Sequence, residues 1–249
     1  VATSRGFDVA AFEVDGSSYV LWANYHHASR GGYSVGSQLL RYNAATGQFD
    51  AHQTVPSSGT RGAEYFSIAG TLFVAIANHY GTSYNCDSVI YVFNRETTQL
   101  DEHQRIRTHG ATHWDFFEHG GSQFLAVSNY YNGATYNVAS VIYKYNPTST
   151  QFEEHEEIGT HACGGMKYWS MGGAKFLAVA NCYNGASFLI NSWILKLNPV
   201  TGKFESHQDI PTKCGYRPEH WVAGDGAHFL AFANYAGHPS SHTTGNSVV

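Results

Sequence analysis

The amino-acid sequence predicts an all-β protein, a β-propeller of four-stranded antiparallel blades, and two motifs that recur in phase carry this prediction. An apolar segment that ends in Asn recurs every 51 to 54 residues, ending at Asn24, Asn78, Asn129, Asn181 and Asn234. A Phe or Leu three residues before a His keeps the same period, with the histidines at His52, His103, His155 and His207. We therefore infer tandem structural repeats of roughly 52 residues.

Each repeat is predicted to hold four strands, A to D, and the third repeat shows them most fully. Strand A is short and mixed (113–117), and a Gly-Gly turn leads to strand B (124–129), whose continuous apolar run is typical of a strand buried on both faces. In strand C (140–145), apolar and polar residues partly alternate. Strand D (151–155) carries the most charge, so we expect it outermost. Radial stacking of such units leaves only short, protected sheet edges.

The repeats define the domain organisation. We predict a single domain over 1–249, with repeats at about 4–55, 56–107, 108–159, 160–211 and 212–249. The last repeat stops within its strand C, at 247–249, whereas residues 1–3 resemble the tail of a strand D. Because the two ends nearly meet in repeat phase, five blades are predicted.

Composition and charge exclude several classes of function. Charged residues are only 13% of the chain and the formal net charge is −5, with no basic stripe, so nucleic acid is not expected as a partner. No apolar run approaches the ~20 residues that span a bilayer, so no membrane insertion is expected. The chain opens without a hydrophobic stretch, as a cytosolic protein or a processed, mature form would.

The four cysteines bear on the compartment. None forms a CxxC pair, which disfavours structural zinc, and the even number is compatible with two disulfides in an oxidising environment. The alternative is that all are buried free thiols. Cys182 pairs most easily with Cys163 or Cys214, whereas Cys86 is left free or bridges to another chain. The disulfide candidates are therefore Cys163, Cys182, Cys214 and Cys86.

Several segments resemble the epilepsy-associated repeat, or epitempin repeat. They are strand B followed by Tyr, the Ser-Val-Ile-Tyr start of strand C at 88–91 and 140–143, the Phe of strand D, and the Thr-His-Gly or Thr-His-Ala link at 108–110 and 160–162. The resemblance implies a secreted or ectodomain propeller that recognises partners, as the leucine-rich glioma-inactivated proteins bind cell-surface receptors, and it does not imply catalysis. The family's usual seven blades leave an alternative, in which two further blades lie outside this sequence.

The candidate ligand site lies in the loops. Strand direction alternates within a blade, so the B–C loops and the links from strand D to the next strand A emerge on the same face, where binding residues on rigid scaffolds usually lie. The candidate ligand-binding residues share this position and are Tyr25, Tyr33, Tyr80, Tyr84, Tyr130, Tyr131, Asn132, Tyr136, Tyr183, Asn184 and Tyr235.

Rings, amides and hydroxyls with little charge suit glycans, and repetition would make binding multivalent. Asn85 and the five Asn residues that end strand B offer further donors and acceptors. The same residues also have structural alternatives. The strand-ending Asn residues would satisfy backbone groups at turns, and about half of the loop tyrosines would pack between blades.

Strand A carries acids that suggest an ion site. Asp8, Glu64 and Asp115 occupy roughly equivalent positions, so they could hold Ca²⁺ in a central channel or pair with Lys167. The single His on each strand D cannot converge on one ion, which favours packing or surface roles.

The three acids are also the best argument for an enzyme, because some propellers hydrolyse glycosides with paired carboxylates. Catalysis normally breaks repeat symmetry, however, and this sequence mostly keeps it, so we predict that the protein is not an enzyme. The prediction is an extracellular, multivalent carbohydrate-binding protein. The alternative is a secreted module that binds a cell-surface protein, and a glycoside hydrolase is the minor alternative.

Overall fold

The computed structural model describes residues 5–26 and 32–235, and every regular element in this part of the chain is a β-strand. The chain divides into two compact units, Val1–Phe116 and Phe117–Val249. No helix among the described residues is long and apolar enough to cross a membrane. The predicted strand C of the fifth repeat (247–249) and the predicted strand D tail at 1–3 lie outside the described residues.

The strands form four-stranded antiparallel sheets in chain order, followed by one hairpin. Sheet 1 contains β1 (Gly6–Val14), β2 (Ser17–Asn24), β3 (Ser37–Asn43) and β4 (Gln48–Val55). Sheet 2 contains β5 (Thr60–Ile68), β6 (Thr71–Asn78), β7 (Asn85–Asn94) and β8 (Gln99–His109). Sheet 3 contains β9 (Ala111–His119), β10 (Ser122–Asn129), β11 (Ala139–Asn146) and β12 (Gln151–Gly159). Sheet 4 contains β13 (Cys163–Met171), β14 (Ala174–Asn181), β15 (Leu189–Leu197) and β16 (Phe204–Lys213), and the hairpin pairs β17 (Gly215–Val222) with β18 (His228–Asn234).

The predicted order A-B-C-D is confirmed in all four complete sheets. Strand A is longer than expected, however: β9 runs over nine residues and not five. The additional residues at its two ends, Ala111-Thr112 and Glu118-His119, form no apolar run, so the sequence alone does not reveal them as part of the strand. A bulge recurs near the start of strand A, at Gly6/Asp8, Thr60/Gly62 and Cys163/Gly165.

The core of each unit lies on strand B and between neighbouring sheets. In the first unit, Leu21, Val74 and Ile76 of strand B are fully buried. In the second unit, Leu177 and Val179 are equally buried. Ala75 and Ala77, on the opposite face of β6, are also fully buried, so both faces of strand B are covered and it reads as a continuous apolar run. The end of strand B, and with it the loop that follows, is therefore firmly positioned.

Aromatic stacks join neighbouring strands A within each unit. Phe66 of β5 stacks on Phe116 of β9 with ring centroids 4.5 Å apart, and Phe117 stacks on Tyr168 of β13 at 4.4 Å. Trp169 stacks in the same way on His220 of β17 at 5.4 Å. Close stacking of this kind adds to the stabilisation from buried area alone.

Candidate functional site

A repeated backbone contact positions each B–C loop against a D–A link. In each repeat, the backbone N–H of one link residue donates to the carbonyl of one loop residue. The N···O distances are 2.8 Å for Gly59 and Tyr33, 2.6 Å for Gly110 and Tyr84, 2.7 Å for Ala162 and Tyr136, and 2.7 Å for Cys214 and Phe188. All four link residues have positive φ, between 45° and 56°, which glycine adopts most readily. The predicted convergence of loops and links is thus confirmed within each unit.

The same loops carry a repeated pair of aromatic rings. One ring follows the strand-ending Asn by two residues, and the other is the residue whose carbonyl accepts the link N–H. The ring centroids are 4.8 Å apart for His26–Tyr33, 4.8 Å for Tyr80–Tyr84, 4.3 Å for Tyr131–Tyr136 and 4.3 Å for Tyr183–Phe188. We call these the loop pairs. All eight side chains are half-buried, so each pair leaves part of its rings open to solvent.

In the first unit, the loop pairs join into one cluster. Tyr33 bridges to Tyr80 with ring centroids 4.6 Å apart and contacts Tyr25 at 5.4 Å. The Arg61 guanidinium lies over the rings of Tyr25 and Phe7, at 5.1 and 5.3 Å. The charge of a neighbouring Tyr25 phenolate, followed by burial, raises the pKa of Tyr33, so its hydroxyl stays protonated at neutral pH.

In the second unit, the loop pairs surround a disulfide. Tyr136 bridges to Tyr183 at 4.9 Å, and the Tyr130 hydroxyl lies 3.4 Å from Cys182 Sγ. Cys182 is bonded to Cys214, and both are buried beneath the rings of this cluster. Tyr235, by contrast, is 63% exposed and contacts only the more distant ring of Tyr216 at 6.2 Å among the described ring pairs.

The strand-ending Asn residues have a structural role. Asn78 donates from Nδ2 to the Asp87 carbonyl at 2.9 Å, and its Oδ1 accepts the Ser58 N–H at 2.9 Å. Asn181 makes the same contacts with Asn191 and the His161 N–H. These amides tie strand B to the adjoining loop and link, which confirms the structural reading of Asn78 and Asn181. That the strand-ending Asn residues also offer hydrogen bonds to a ligand stays a prediction.

The side chains of Asn132 and Asn184 also make hydrogen bonds within their own loops. Each Oδ1 accepts two backbone N–H groups of its own loop, from Ala134 and Thr135 at 2.9 Å, and from Ala186 and Ser187 at 2.9 and 2.8 Å. The amide oxygen thus closes a tight turn in an Asn-Gly-Ala-Thr or Asn-Gly-Ala-Ser segment. The side chains shape the loops that display the rings.

The three strand A acids do not all occupy equivalent positions. Asp8 pairs across the hairpin with Ala23, one residue before Asn24, but Glu64 pairs with Ala75, three residues before Asn78. Glycine, Gly62, holds the Asp8 position in sheet 2, so the expectation of repeat-equivalent acids is wrong for this pair. Among the described residues, no three His, Cys, Asp or Glu side chains gather in a group that could hold a metal ion.

These acids and their basic neighbour make other contacts. Asp8 Oδ2 accepts the Ala63 N–H at 3.0 Å, and Asp115 is buried in strand A. Lys167 Nζ lies 3.7 Å from Glu219 Oε1. Asp8 and Asp115 therefore take part in strand pairing and packing.

The cysteine predictions are confirmed in part. Cys182–Cys214 is the disulfide, and Cys86 and Cys163 are free thiols. This corrects Cys163 as a disulfide candidate and agrees with the expectation that Cys86 is left without a partner in its own chain. Cys163 begins β13, and its side chain lies in the core of the second unit. Burial raises the pKa of both free thiols, that of Cys86 to about 11, so neither is a reactive thiolate.

Sequence reasoning missed a set of histidines behind the loops. His79 Nδ1 lies 2.9 Å from the Gly110 carbonyl oxygen, and burial lowers the pKa of His79 to about 3. In the links, His109 Nδ1 and His161 Nδ1 lie 2.6 Å from Asn85 Oδ1 and Asn137 Oδ1. The recurring Thr-His of the link was visible in the sequence, but its Asn partner is 24 residues away and needs strand register to find.

Comparison with known proteins places this site in a family context. Residues 48–94 and 99–146 match the family model for the EPTP domain. A thrombospondin-type laminin G domain and EAR repeat-containing protein of Homo sapiens is 35% identical over 146 residues, which are 58% of this chain and 22% of the relative. The Mus musculus protein of the same description is 32% identical over 152 residues, 61% of this chain and 23% of the relative. The match thus spans less than a quarter of the length of either relative.

Solved structures show the fold. A 6-phosphogluconolactonase-like protein of Bacteroides uniformis has a TM-score of 0.61 at 16% identity, covering 87% of this chain and 60% of its own. A GH43 protein of Bacillus licheniformis has a TM-score of 0.53 at 11% identity, and the match covers 92% of this chain and 48% of the GH43 protein. At these identities the likeness extends to the fold alone, which is that of a β-propeller. Residues 48–94 and 99–146 thus carry EPTP repeats, the fold is that of a β-propeller, and the resemblance to the epilepsy-associated repeat family is confirmed.

Proposed function

We propose that this chain is a non-catalytic recognition module whose loop pairs bind uncharged glycans on secreted or cell-surface glycoconjugates. The observation that carries the proposal is the recurrence of one half-buried aromatic pair in each of four repeats, with centroids 4.3 to 4.8 Å apart. A family of recognition modules is consistent with this role.

The chemistry around the loop pairs supports a neutral ligand. The loops at 79–84, 130–138 and 182–188 contain no Asp, Glu, Lys or Arg. Their rings offer apolar faces to the C–H groups of a sugar, and their hydroxyls offer both donors and acceptors. A charged ligand would lose its hydration at such a surface without gaining an ionic partner.

Repetition makes weak sites useful. A single ring pair with few polar partners gives modest affinity, but several similar sites on one chain raise the effective concentration of a multivalent glycoconjugate. The disulfide beneath the second-unit cluster fits an oxidising, extracellular compartment. Tyr235, which lies outside the loop pairs, has the least support among the candidate residues.

A protein ligand is the second candidate, and Arg61 favours it. This cation lies over Tyr25 and Phe7 in the first unit, which breaks the repeat symmetry of the loop pairs. Tyr and Arg in one partly buried patch are the residues most often found at the energetic centre of protein interfaces. A partner that recognises this patch would depend on one unit and not on repeated sites.

The placement of Asp8 supports a non-catalytic role. Hydrolysis of a glycosidic bond needs a pair of carboxyl groups that face one substrate. Asp8 and Glu64 lie at different register positions, and Asp8 is engaged by the Ala63 N–H. The hydrolase neighbours share only the fold with this chain.

The test is a glycan array followed by calorimetric titration of the strongest glycan. We expect Tyr131→Ala combined with Tyr183→Ala to weaken binding about tenfold or more, since a tenfold loss corresponds to roughly 1.4 kcal/mol. Tyr42→Ala is the matched control, because Tyr42 is 43% exposed and pairs with Phe49 at the far end of strand C. An array without any binding, or equal effects of both variants, would rule out the glycan. Capture of a cell-surface protein that Arg61→Ala abolishes would support the protein candidate.

A further inference from the structure

A glutamine bridges two outer strands in the first unit. Gln53 of β4 accepts the Leu100 N–H at Oε1, 2.8 Å away, and donates from Nε2 to the Leu100 carbonyl at 2.9 Å. One amide side chain thus satisfies both backbone groups of Leu100 on the neighbouring β8. Only a side chain with a donor and an acceptor at its tip can make both contacts.

The same position carries a carboxyl group in the third repeat. The His that marks strand D is followed by Gln at 53, 104 and 208, but by Glu at 156. Glu156 Oε1 accepts the Phe204 N–H at 3.0 Å, which reproduces the first contact of Gln53. Glu156 is 8% exposed, and its Oε2 is buried without a hydrogen-bond partner.

The unpaired oxygen has a chemical consequence. By analogy with Gln53, Oε2 takes the place of the amide nitrogen and faces the Phe204 carbonyl, so an ionised carboxylate would set two acceptors against each other. A protonated carboxyl group restores the missing donor. We propose that Glu156 is a proton-dependent latch between β12 and β16, closed by its protonated form and weakened when it ionises.

The groups around Glu156 leave the latch sensitive to pH. Burial is the largest influence and raises the pKa of Glu156, and Glu205 of β16 acts in the same direction. The Phe204 N–H, at the start of β16, and Lys203, the residue before it, act in the opposite direction. From β15, the neighbouring side chains are uncharged, Trp193 and Leu195, and Glu157 is the other acid that lines the same pocket of about 430 Å³. On the paired strand β11, the residue opposite is Ile142.

The direction of the effect follows from linkage. The folded pKa of Glu156 lies above the unfolded one, so the latch contributes its full stability below the unfolded pKa, about 4.3. That contribution is lost as the pH rises through the folded pKa. Glutamine at this position would keep the latch closed at every pH. Other groups also titrate in this range, so the effect is measured as the difference between variant and natural chain at each pH.

The test compares Glu156→Gln with the reciprocal variant Gln53→Glu by thermal unfolding between pH 4 and pH 8. We expect Glu156→Gln to raise Tm at pH 8 by about 2–4 °C, the range for a change of roughly 1 kcal/mol in a chain of this size, and to leave Tm nearly unchanged at pH 4. Gln53→Glu should lower Tm at pH 8 and have a smaller effect at pH 4.

Two results would overturn the proposal. One is that Glu156→Gln does not raise Tm at pH 8, or raises it equally at pH 4 and pH 8, because a latch closed by a proton must make the change in Tm depend on pH. The other is a carboxyl ¹³C titration of Glu156 with its midpoint at or below the ordinary value for glutamate, about 4.3. The second measurement uses the natural chain, so it decides the question even if a variant does not fold.

Discussion

The hydrogen bond between His79 and Gly110 joins the same two repeat positions that the disulfide between Cys182 and Cys214 joins. His79 and Cys182 each follow a strand-ending Asn, and Gly110 and Cys214 are the positive-φ residues of the links. The distance from His79 Nδ1 to the Gly110 carbonyl oxygen is 2.9 Å. Because a carbonyl only accepts, Nδ1 carries the proton of a neutral imidazole. Each unit thus fastens strand B to a link directly behind its loop pairs.

The His79 contact predicts acid sensitivity. Burial, and next the Arg61 charge, lower the pKa of His79 from 6.5 to about 3, so between these values the unfolded chain binds a proton that the folded chain does not. Stability should therefore fall as the pH drops from 6.5 towards 3, by about 2–3 kcal/mol at pH 4.5. Urea unfolding at pH 7 and pH 4.5 measures the loss.

A matched variant isolates this histidine. His79→Gln keeps a donor but cannot titrate, and we expect it to reduce the difference in stability between the two pH values. His207→Gln, on the exposed face of β16, is the control and should leave that difference unchanged. A His79→Gln chain as acid-sensitive as the natural one would assign the sensitivity to other groups.

The disulfide predicts a definite count of thiols. Alkylation of the denatured, unreduced chain should modify two cysteines, Cys86 and Cys163, and alkylation after reduction should modify four. In the folded chain both free thiols should react slowly, because burial raises their pKa. Intact mass measures each step, and a count of zero or four before reduction would contradict the pairing.

Loss of the disulfide should also be destabilising. The bridge closes a segment with a sequence separation of 32, for which the chain-entropy estimate is about 3–4 kcal/mol. We expect Cys182→Ser combined with Cys214→Ser to lower the free energy of unfolding by that order. Cys86→Ser is the control and should have a much smaller effect.

The repeated strands were predictable because burial on both faces leaves a pattern in the sequence. Strand B, such as β10, shows as an apolar run, and strand D shows its exposure as charge. Strand A was underestimated because the additional residues at its two ends form no apolar run. The choice between Cys163 and Cys214 as the partner of Cys182 was open, since both lie near a link and only the direction of each side chain separates them.

The candidate site was predictable in position but not in detail. The loops and their tyrosines follow from strand alternation, whereas the loop pairs depend on how one loop folds over the next link. The supposed equivalence of Asp8 and Glu64 failed because the two acids lie at different distances from the strand-ending Asn. The difference of two residues was visible in the sequence, because Asp8 precedes Asn24 by 16 residues and Glu64 precedes Asn78 by 14. Treating the two positions as roughly equivalent overlooked it, and a shift along a strand separates the side chains.

A buried hydroxyl network behind the loops predicts a sensitive serine. Ser140 Oγ accepts the Asn129 N–H at 3.1 Å and lies 2.9 Å from Thr160 Oγ1. Ser88 and Ser192 make the same contacts in their sheets. Ser140→Ala leaves a buried N–H without its acceptor, so we expect a loss of about 1–3 kcal/mol. Ser170→Ala, on an exposed position of β13, is the control. Equal urea midpoints for the two variants would contradict the role of the network.

Close approach of neighbouring strands A predicts that Gly62 cannot be replaced. A Cβ atom at Gly62 would lie 2.6 Å from the Thr112 carbonyl oxygen and 3.0 Å from His113 Cα, both backbone atoms of β9 that side-chain rotation cannot move. We expect Gly62→Ala to destabilise the chain by about 1–3 kcal/mol through overpacking. Gly159→Ala is the matched control, because a Cβ atom at Gly159 would meet no atom within 4 Å and the backbone there has an ordinary φ. Thermal unfolding of both variants checks the prediction. If Gly62→Ala unfolds at the same temperature as Gly159→Ala, strands β5 and β9 do not pack backbone against backbone at Gly62. That result would also contradict the stacking of Phe66 on Phe116, because the stacking depends on the same spacing between the two strands.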